Sequence, residues 1–380
     1  MGFGTDCVHA GQQPEPRTGA VITPVFQTST YQQNAIGDHT GYEYARTQNP
    51  TREALEANVA ALEGAVHGVA FGSGLATIST LAQTLSAGDE IVCTENVYGG
   101  TYRVFDQVFA KLGIGFRFVD TGDLAAVEAA FTEHTKILFV ETPTNPVLQI
   151  TDIAAAADLA HGRGARLIVD NTFMSPYFQK PLSLGADAVM HSMTKYLNGH
   201  SDVVGGILLT SDEELHDQVR FLQNAAGAVP GPWDCWLVLR GTKTLHLRMR
   251  QHEENARAIV EALDGHPGVR RLYYPGLESH PGHEIATRQQ TGFGGMVSLD
   301  VGSLARAQQF VEQLDIFVLA ESLGGVESLV CHPAAMTHAA VPVEDRERIG
   351  VTEGLVRLSV GVEDTDDLVA DVQKALEALT

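Results

Sequence analysis

From about Glu53 to Thr210, short apolar runs alternate with longer stretches of helical period. That alternation predicts an α/β architecture, a mostly parallel sheet with helices on both faces. Strands are expected at Gly68–Phe71, Glu90–Thr94, Gly115–Val119, Lys136–Val140, Arg166–Val169, Ala188–His191 and Gly205–Leu209. Ligands of such a sheet sit beyond the C-terminal ends of its strands. Past Thr210 the pattern predicts a helix over Asp212–Ala225, a Pro/Gly loop over 228–232, and one long helix from about Trp233 to Leu263 that bridges two domains. The remainder mixes strands (Val269–Tyr274, Gly294–Asp300, Gly354–Val360) with helices (Leu304–Leu314, Asp366–Leu379), a smaller α+β domain. Residues 1 to about 48 carry no sustained period and read as an irregular arm, disordered or wrapped on something. The expected division is an arm over 1–48, a large domain over 49–245 and a C-terminal domain over 246–380.

Composition removes several classes of function. The chain has 380 residues with 44% hydrophobic side chains, enough for a large buried core. Its 25 basic and 47 acidic side chains leave a formal charge of -22, which repels nucleic-acid phosphates and anionic membranes. Cys7, Cys93, Cys235 and Cys331 are scattered, suggesting neither a disulfide framework nor a zinc site. The fifteen histidines include no H-E-x-x-H, and no metal is expected. No apolar run is long enough to span a bilayer and no signal peptide is evident, so the expected setting is cytoplasmic.

Candidate chemistry gathers at the ends of the predicted strands. His191-Ser192-Met193-Thr194-Lys195-Tyr196 follows one of them; a lysine shielded by apolar neighbours becomes nucleophilic and can condense with an aldehyde. The Ser192 and Thr194 hydroxyls suit a phosphate. Phe71-Gly72-Ser73-Gly74-Leu75-Ala76 is a glycine turn opening a helix, an anion site needing no basic residue. It lacks the third glycine of a dinucleotide fingerprint, so a nicotinamide dehydrogenase is disfavoured. Tyr98, before Gly99-Gly100, is free to lie against a planar ligand. Asp170 ends a buried run in Leu167-Ile168-Val169-Asp170 and needs a cation or a cap to satisfy. Tyr44 and Arg46 precede Asn49-Pro50-Thr51, where Asn or Thr can cap a helix starting near Glu53. Arg357 and Ser359 share one face of a strand. Each has a plainer reading: a polar surface turn at Lys195, a tight turn at Gly74, a core tyrosine at Tyr98, a turn cap at Asp170 and a solvent-facing Arg357.

Together these are parts expected around pyridoxal 5'-phosphate. The sequence resembles the Cys/Met-metabolism family of PLP enzymes, in its cystathionine γ-lyase and γ-synthase branch, from the arm to the last helix. The resemblance implies the aspartate-aminotransferase-like (type I) fold, with Lys195 holding the cofactor and moving protons, Asp170 keeping the ring nitrogen protonated, and Tyr98 stacking on the ring and serving as proton donor. It further implies that Asn145 contacts the ring hydroxyl and the substrate, and that Ser73, Gly74, Leu75, Ser192 and Thr194 bind the phosphate. Tyr44 and Arg46 would reach in from a neighbouring subunit of a homotetramer built from two active dimers. Arg357, assisted by Ser322, resembles the clamp on the substrate α-carboxylate.

Within the family, methionine γ-lyases carry cysteine where this chain has Gly100. Arg103 resembles the residue that cystathionine enzymes use for the distal carboxylate, and Glu321 the acidic residue that accompanies cystathionine specificity. Leu75 and Met193 depart from the common pattern conservatively. The resemblance therefore implies γ-elimination of L-cystathionine to L-cysteine, 2-oxobutanoate and ammonia. γ-Replacement of O-succinyl- or O-acetylhomoserine by cysteine is the alternative, and the segments 171–179 and 234–236 resemble the lyases more. A PLP-binding sensor without turnover is the reading from a different class.

Overall fold

The structure is a computed structural model and describes residues 1–339 and 341–379. Strands β1 (His67–Phe71), β2 (Glu90–Thr94), β3 (Gly115–Val119), β4 (Thr135–Glu141), β5 (Arg166–Asp170), β6 (Ala188–Ser192) and β7 (Gly206–Thr210) form a seven-stranded sheet. Its order is β1-β7-β6-β5-β4-β2-β3, with β7 antiparallel to both β1 and β6 and the other pairs parallel. Apolar side chains alternate between the sheet's faces: Ile137, Phe139 and Ile168 join one core, Leu138, Val140, Leu167 and Val169 another. Burial on both faces explains the unbroken apolar runs in the sequence.

A second sheet of five strands has the order β10-β11-β12-β9-β8, from β8 (Arg271–Tyr273), β9 (Met296–Asp300), β10 (Val318–Leu319), β11 (Leu329–Cys331) and β12 (Leu355–Ser359). It packs on the helices Leu245–Leu263, Leu304–Glu312 and Thr365–Glu377 around a separate core. A further cluster, containing Leu148, Met174, Met296 and Leu355, joins the two sheets.

The expected long helix over 233–263 is two helices, Pro232–Thr242 and Leu245–Leu263. At the break the Gly241 carbonyl accepts from Thr244 N at 3.2 Å, and Arg248 reinforces it. Its buried guanidinium donates to the Gly241 carbonyl at 2.9 Å, an oxygen that a continuous helix would bond to the Leu245 N–H. It also donates to the Tyr196 carbonyl at 2.7 Å, so the break is riveted to the turn that carries Lys195.

The arm is anchored rather than disordered, and it contains a helix, Phe3–His9, that periodicity does not reveal. The helix Pro50–Glu63 starts earlier than expected, with the Asn49 side chain accepting from Thr51 N and Arg52 N. The same turn holds the arm. Thr51 Oγ1 donates to Pro24 O at 2.8 Å, and the buried Arg52 guanidinium donates to the carbonyls of Ala45, Arg46 and Thr47.

Candidate active site

Lys195 stands in the turn after β6, where Lys195 N donates to Ser192 O at 3.2 Å and Gly199 N to Lys195 O at 2.8 Å. Gly199 has φ +73°, and a Cβ there would lie 2.0 Å from Arg248 Nη1, so only glycine closes this turn against Arg248. The lysine amine donates to Ser322 Oγ at 2.6 Å. Burial, followed by the nearby Arg357 charge, pushes its pKa down to about 8, with Glu321 opposing.

Two carboxylates end adjacent strands, Glu141 on β4 directly beside Asp170 on β5. Asp170 Oδ1 accepts from Thr172 N at 3.0 Å and from Thr172 Oγ1 at 2.5 Å. Both the turn-cap reading and exposure to the cavity therefore hold for Asp170. Burial raises the pKa of each carboxyl group, and the Asp170 charge raises Glu141 further. Such a pair calls for a cation.

The helix Gly74–Ala82 opens against Ser192, and a Cβ on Gly74 would come within 3.1 Å of Ser192 Cβ. Ser73 Oγ accepts from Ala76 N, while the N–H groups of Gly74 and Leu75 have no intrahelical partner. These donors converge with the Ser192 and Thr194 hydroxyls on one cavity wall. β12 delivers Arg357, 2% exposed, to the same cavity. Arg357 Nη1 donates to Asn145 Oδ1 and Nη2 to Ser322 O, each at 2.7 Å.

The cavity, of about 340 Å³, is lined by Ser73, Gly74, Leu75, Tyr98, Asn145, Asp170, Ser192, Thr194, Lys195, Glu321, Ser322 and Arg357. Tyr44, Arg46 and Arg103 lie outside it and are exposed on this chain, with the Arg46 guanidinium 5.5 Å over the Tyr44 ring. Glu141, Thr172 and Thr337 also line the cavity and were assigned no role from the sequence. Thr172 was legible in principle, because a hydroxyl two residues after an aspartate commonly bonds back to it. Thr337 carried no local signal. Among the described residues no cluster of His, Cys, Asp and Glu is placed to hold a metal, and no helix is long and apolar enough to cross a membrane.

The donor set fits pyridoxal 5'-phosphate. Free helix-start N–H groups and hydroxyls suit a phosphate, a buried carboxylate suits a protonated ring nitrogen, and a lysine of lowered pKa suits an aldehyde. Residues 4–377 match the family described as Cys/Met metabolism PLP-dependent enzyme. The chain belongs to that family. It is 54% identical over 370 residues to cystathionine gamma-lyase from Bacillus subtilis, covering 97% of this chain and 98% of the relative. Cystathionine beta-lyase from Lactococcus lactis subsp. cremoris is 52% identical over 98% of both chains. The solved cystathionine gamma-lyase from Lactobacillus plantarum, complexed with L-serine, superposes with a TM-score of 0.97 at 48% identity, covering 100% of this chain and 99% of that one. The expected α/β fold of these PLP enzymes is thus observed, and family membership removes the nicotinamide reading. As a member of this family the protein is a PLP-dependent enzyme.

Proposed function

We propose that the protein is a cystathionine γ-lyase, converting L-cystathionine and water to L-cysteine, 2-oxobutanoate and ammonia. The observation that carries this reading is the convergence of Lys195, Arg357 and Glu321 on one cavity: an amine for the α-proton, a fork for the α-carboxylate and an anion for the far ammonium. Lys195, Asp170, Asn145, Ser73, Gly74, Leu75, Ser192 and Thr194 would hold the cofactor. When bound, pyridoxal 5'-phosphate withdraws electrons from the substrate α-carbon. Arg357 orients the α-carboxylate, with Ser322 and Asn145 holding the guanidinium in place. Lys195 Nζ takes the α-proton, returns to the neutral amine by passing that proton on, and then takes a β-proton. Tyr98 supplies the proton that the departing γ-sulfur needs, aided by Arg46 from a second copy. Arg103 meets the distal carboxylate.

The same proposal includes a homotetramer of two active dimers in the cytoplasm. Tyr44 and Arg46, exposed and outside the lining of their own cavity, support the dimer. The division into an arm over 1–48, a large domain over 49–245 and a C-terminal domain over 246–380 is supported by the two separate sheets.

The relatives named beta-lyases make the cleaved bond the point to test. Purified holoenzyme is given L-cystathionine, and keto acids and thiols are quantified, with O-succinylhomoserine plus cysteine run in parallel. 2-Oxobutanoate with cysteine is expected. Pyruvate with homocysteine would make it a β-lyase, cystathionine accumulating in the parallel reaction a synthase, and no product from any substrate a sensor.

A further inference from the structure

Glu141 ends β4 at the cavity wall and is 5% exposed. Its two oxygens are committed to two different segments. Oε1 accepts from the Asn145 N–H at 2.8 Å, and Oε2 accepts from the Tyr98 N–H at 2.9 Å. Among the described residues Tyr98 has no side-chain hydrogen bond; its ring lies over Gly100, where a Cβ would come within 2.4 Å of Tyr98 Cε1, so the phenol's place follows from the backbone of this turn and that packing. The other side of that backbone is packed too: a Cβ on Gly99 would lie 2.5 Å from Thr337 O. On the second branch, Asn145 Oδ1 accepts from Arg357 Nη1 at 2.7 Å. One carboxylate therefore stands at the fork between the phenol and the carboxamide–guanidinium pair.

The choice of a carboxylate here is costly. Burial disfavours its charge, and Asp170 on β5 adds repulsion, while Arg357 from β12 and the two N–H groups offset part of this. A hydroxyl would carry no such cost, but it has a single oxygen to share between two segments. The ionised carboxylate gives each N–H its own acceptor oxygen, and those two bonds in turn favour the ionised form.

We propose that Glu141 is a positioning residue, whose carboxylate fixes the Tyr98 phenol relative to the Asn145–Arg357 pair and so couples proton delivery at the γ-sulfur to the grip on the α-carboxylate. This rests on the reading of Tyr98 as the proton donor. The test is Glu141→Gln in the full chain, which keeps one acceptor oxygen and turns an NH2 donor against the other N–H. Hydrogen exchange of the cofactor-free protein is followed at the Tyr98 and Asn145 amides. Exchange at one or both is expected to quicken by at least about tenfold, with the Leu138 and Phe139 amides unchanged. Unchanged exchange at both sites overturns the proposal.

A double-mutant cycle in the holoenzyme then asks whether Glu141 acts through Tyr98. Glu141→Gln is expected to lower kcat on the order of 10²-fold in the native background and by less than about threefold in the Tyr98→Phe background. Equal losses in both backgrounds overturn it. If the native protein releases no keto acid from cystathionine, the functional reading fails, and the exchange rates still decide whether Glu141 holds the two segments.

Discussion

Lys195 Nζ donates to Ser322 Oγ at 2.6 Å across 127 residues of chain, so the amine after β6 is aimed by the loop between β10 and β11. Ser322 adopts φ +88°, a left-handed conformation that costs a non-glycine residue about 1–2 kcal/mol. In that conformation its hydroxyl faces Lys195 while its carbonyl accepts from Arg357.

The lowered pKa of Lys195 sets a pH profile. Burial makes the charged amine costly, so the reactive neutral form is populated as pH rises through about 8 rather than through the ordinary lysine range. In the cofactor-free protein, condensation with the aldehyde of pyridoxal 5'-phosphate is expected to reach its half-maximal rate near pH 8. Stopped-flow absorbance across pH, with Lys195→Ala as the blank, checks this. A rate still climbing steeply at about pH 10 would contradict it.

Arg357→Lys keeps the charge and loses the fork. A lysine ammonium cannot reach both Asn145 Oδ1 and Ser322 O, and one of those buried acceptors is left without its donor. kcat/KM for cystathionine should fall on the order of 10²-fold, about 3 kcal/mol, expressed mainly in KM. Steady-state kinetics decide: an unchanged KM would remove Arg357 from carboxylate binding.

Stability should fall on acidification between about pH 6.5 and 4 because of His252. Its Nδ1 lies 2.7 Å from Val360 O, its ring packs edge-on to Tyr196, and burial pushes its pKa down to about 4. In that window the unfolded chain binds a proton that the folded chain refuses, so stability rises with pH and is lost as pH falls. The full contribution is about 3 kcal/mol at 1.36 kcal/mol per pKa unit. Urea midpoints across this range, for the native protein and His252→Gln, should diverge in slope; parallel curves would show that His252 carries none of it.

Under the proposed dimer, in which Arg46 serves the neighbouring cavity, inactive subunits should rescue one another. Arg46→Ala removes the arm's contribution and Lys195→Ala removes the amine, yet a hybrid dimer of the two holds one site with both native groups. Random reassociation should restore about a quarter of native activity. Additive inactivity in verified hybrids would mean that each chain completes its own site.

Much of this molecule was legible along the chain. Each predicted strand of the large sheet lies within one or two residues of its observed place, because apolar runs buried on both faces leave a local imprint. Lys195, Asp170, Ser192 and the Gly74 turn were readable for a related reason: a strand end or helix start confers their chemistry, and both are local features. What only the tertiary structure decided depends on long side chains meeting distant backbone. Arg248 holds the end of one helix at Gly241 beside the start of the next at Leu245, Arg52 pins the arm at 45–47, and Glu141 brackets the amides of Tyr98 and Asn145. Periodicity reports which face of an element is buried. It does not report which carbonyl or N–H, tens of residues away, a buried charge will find there, and those contacts set the geometry of this cavity.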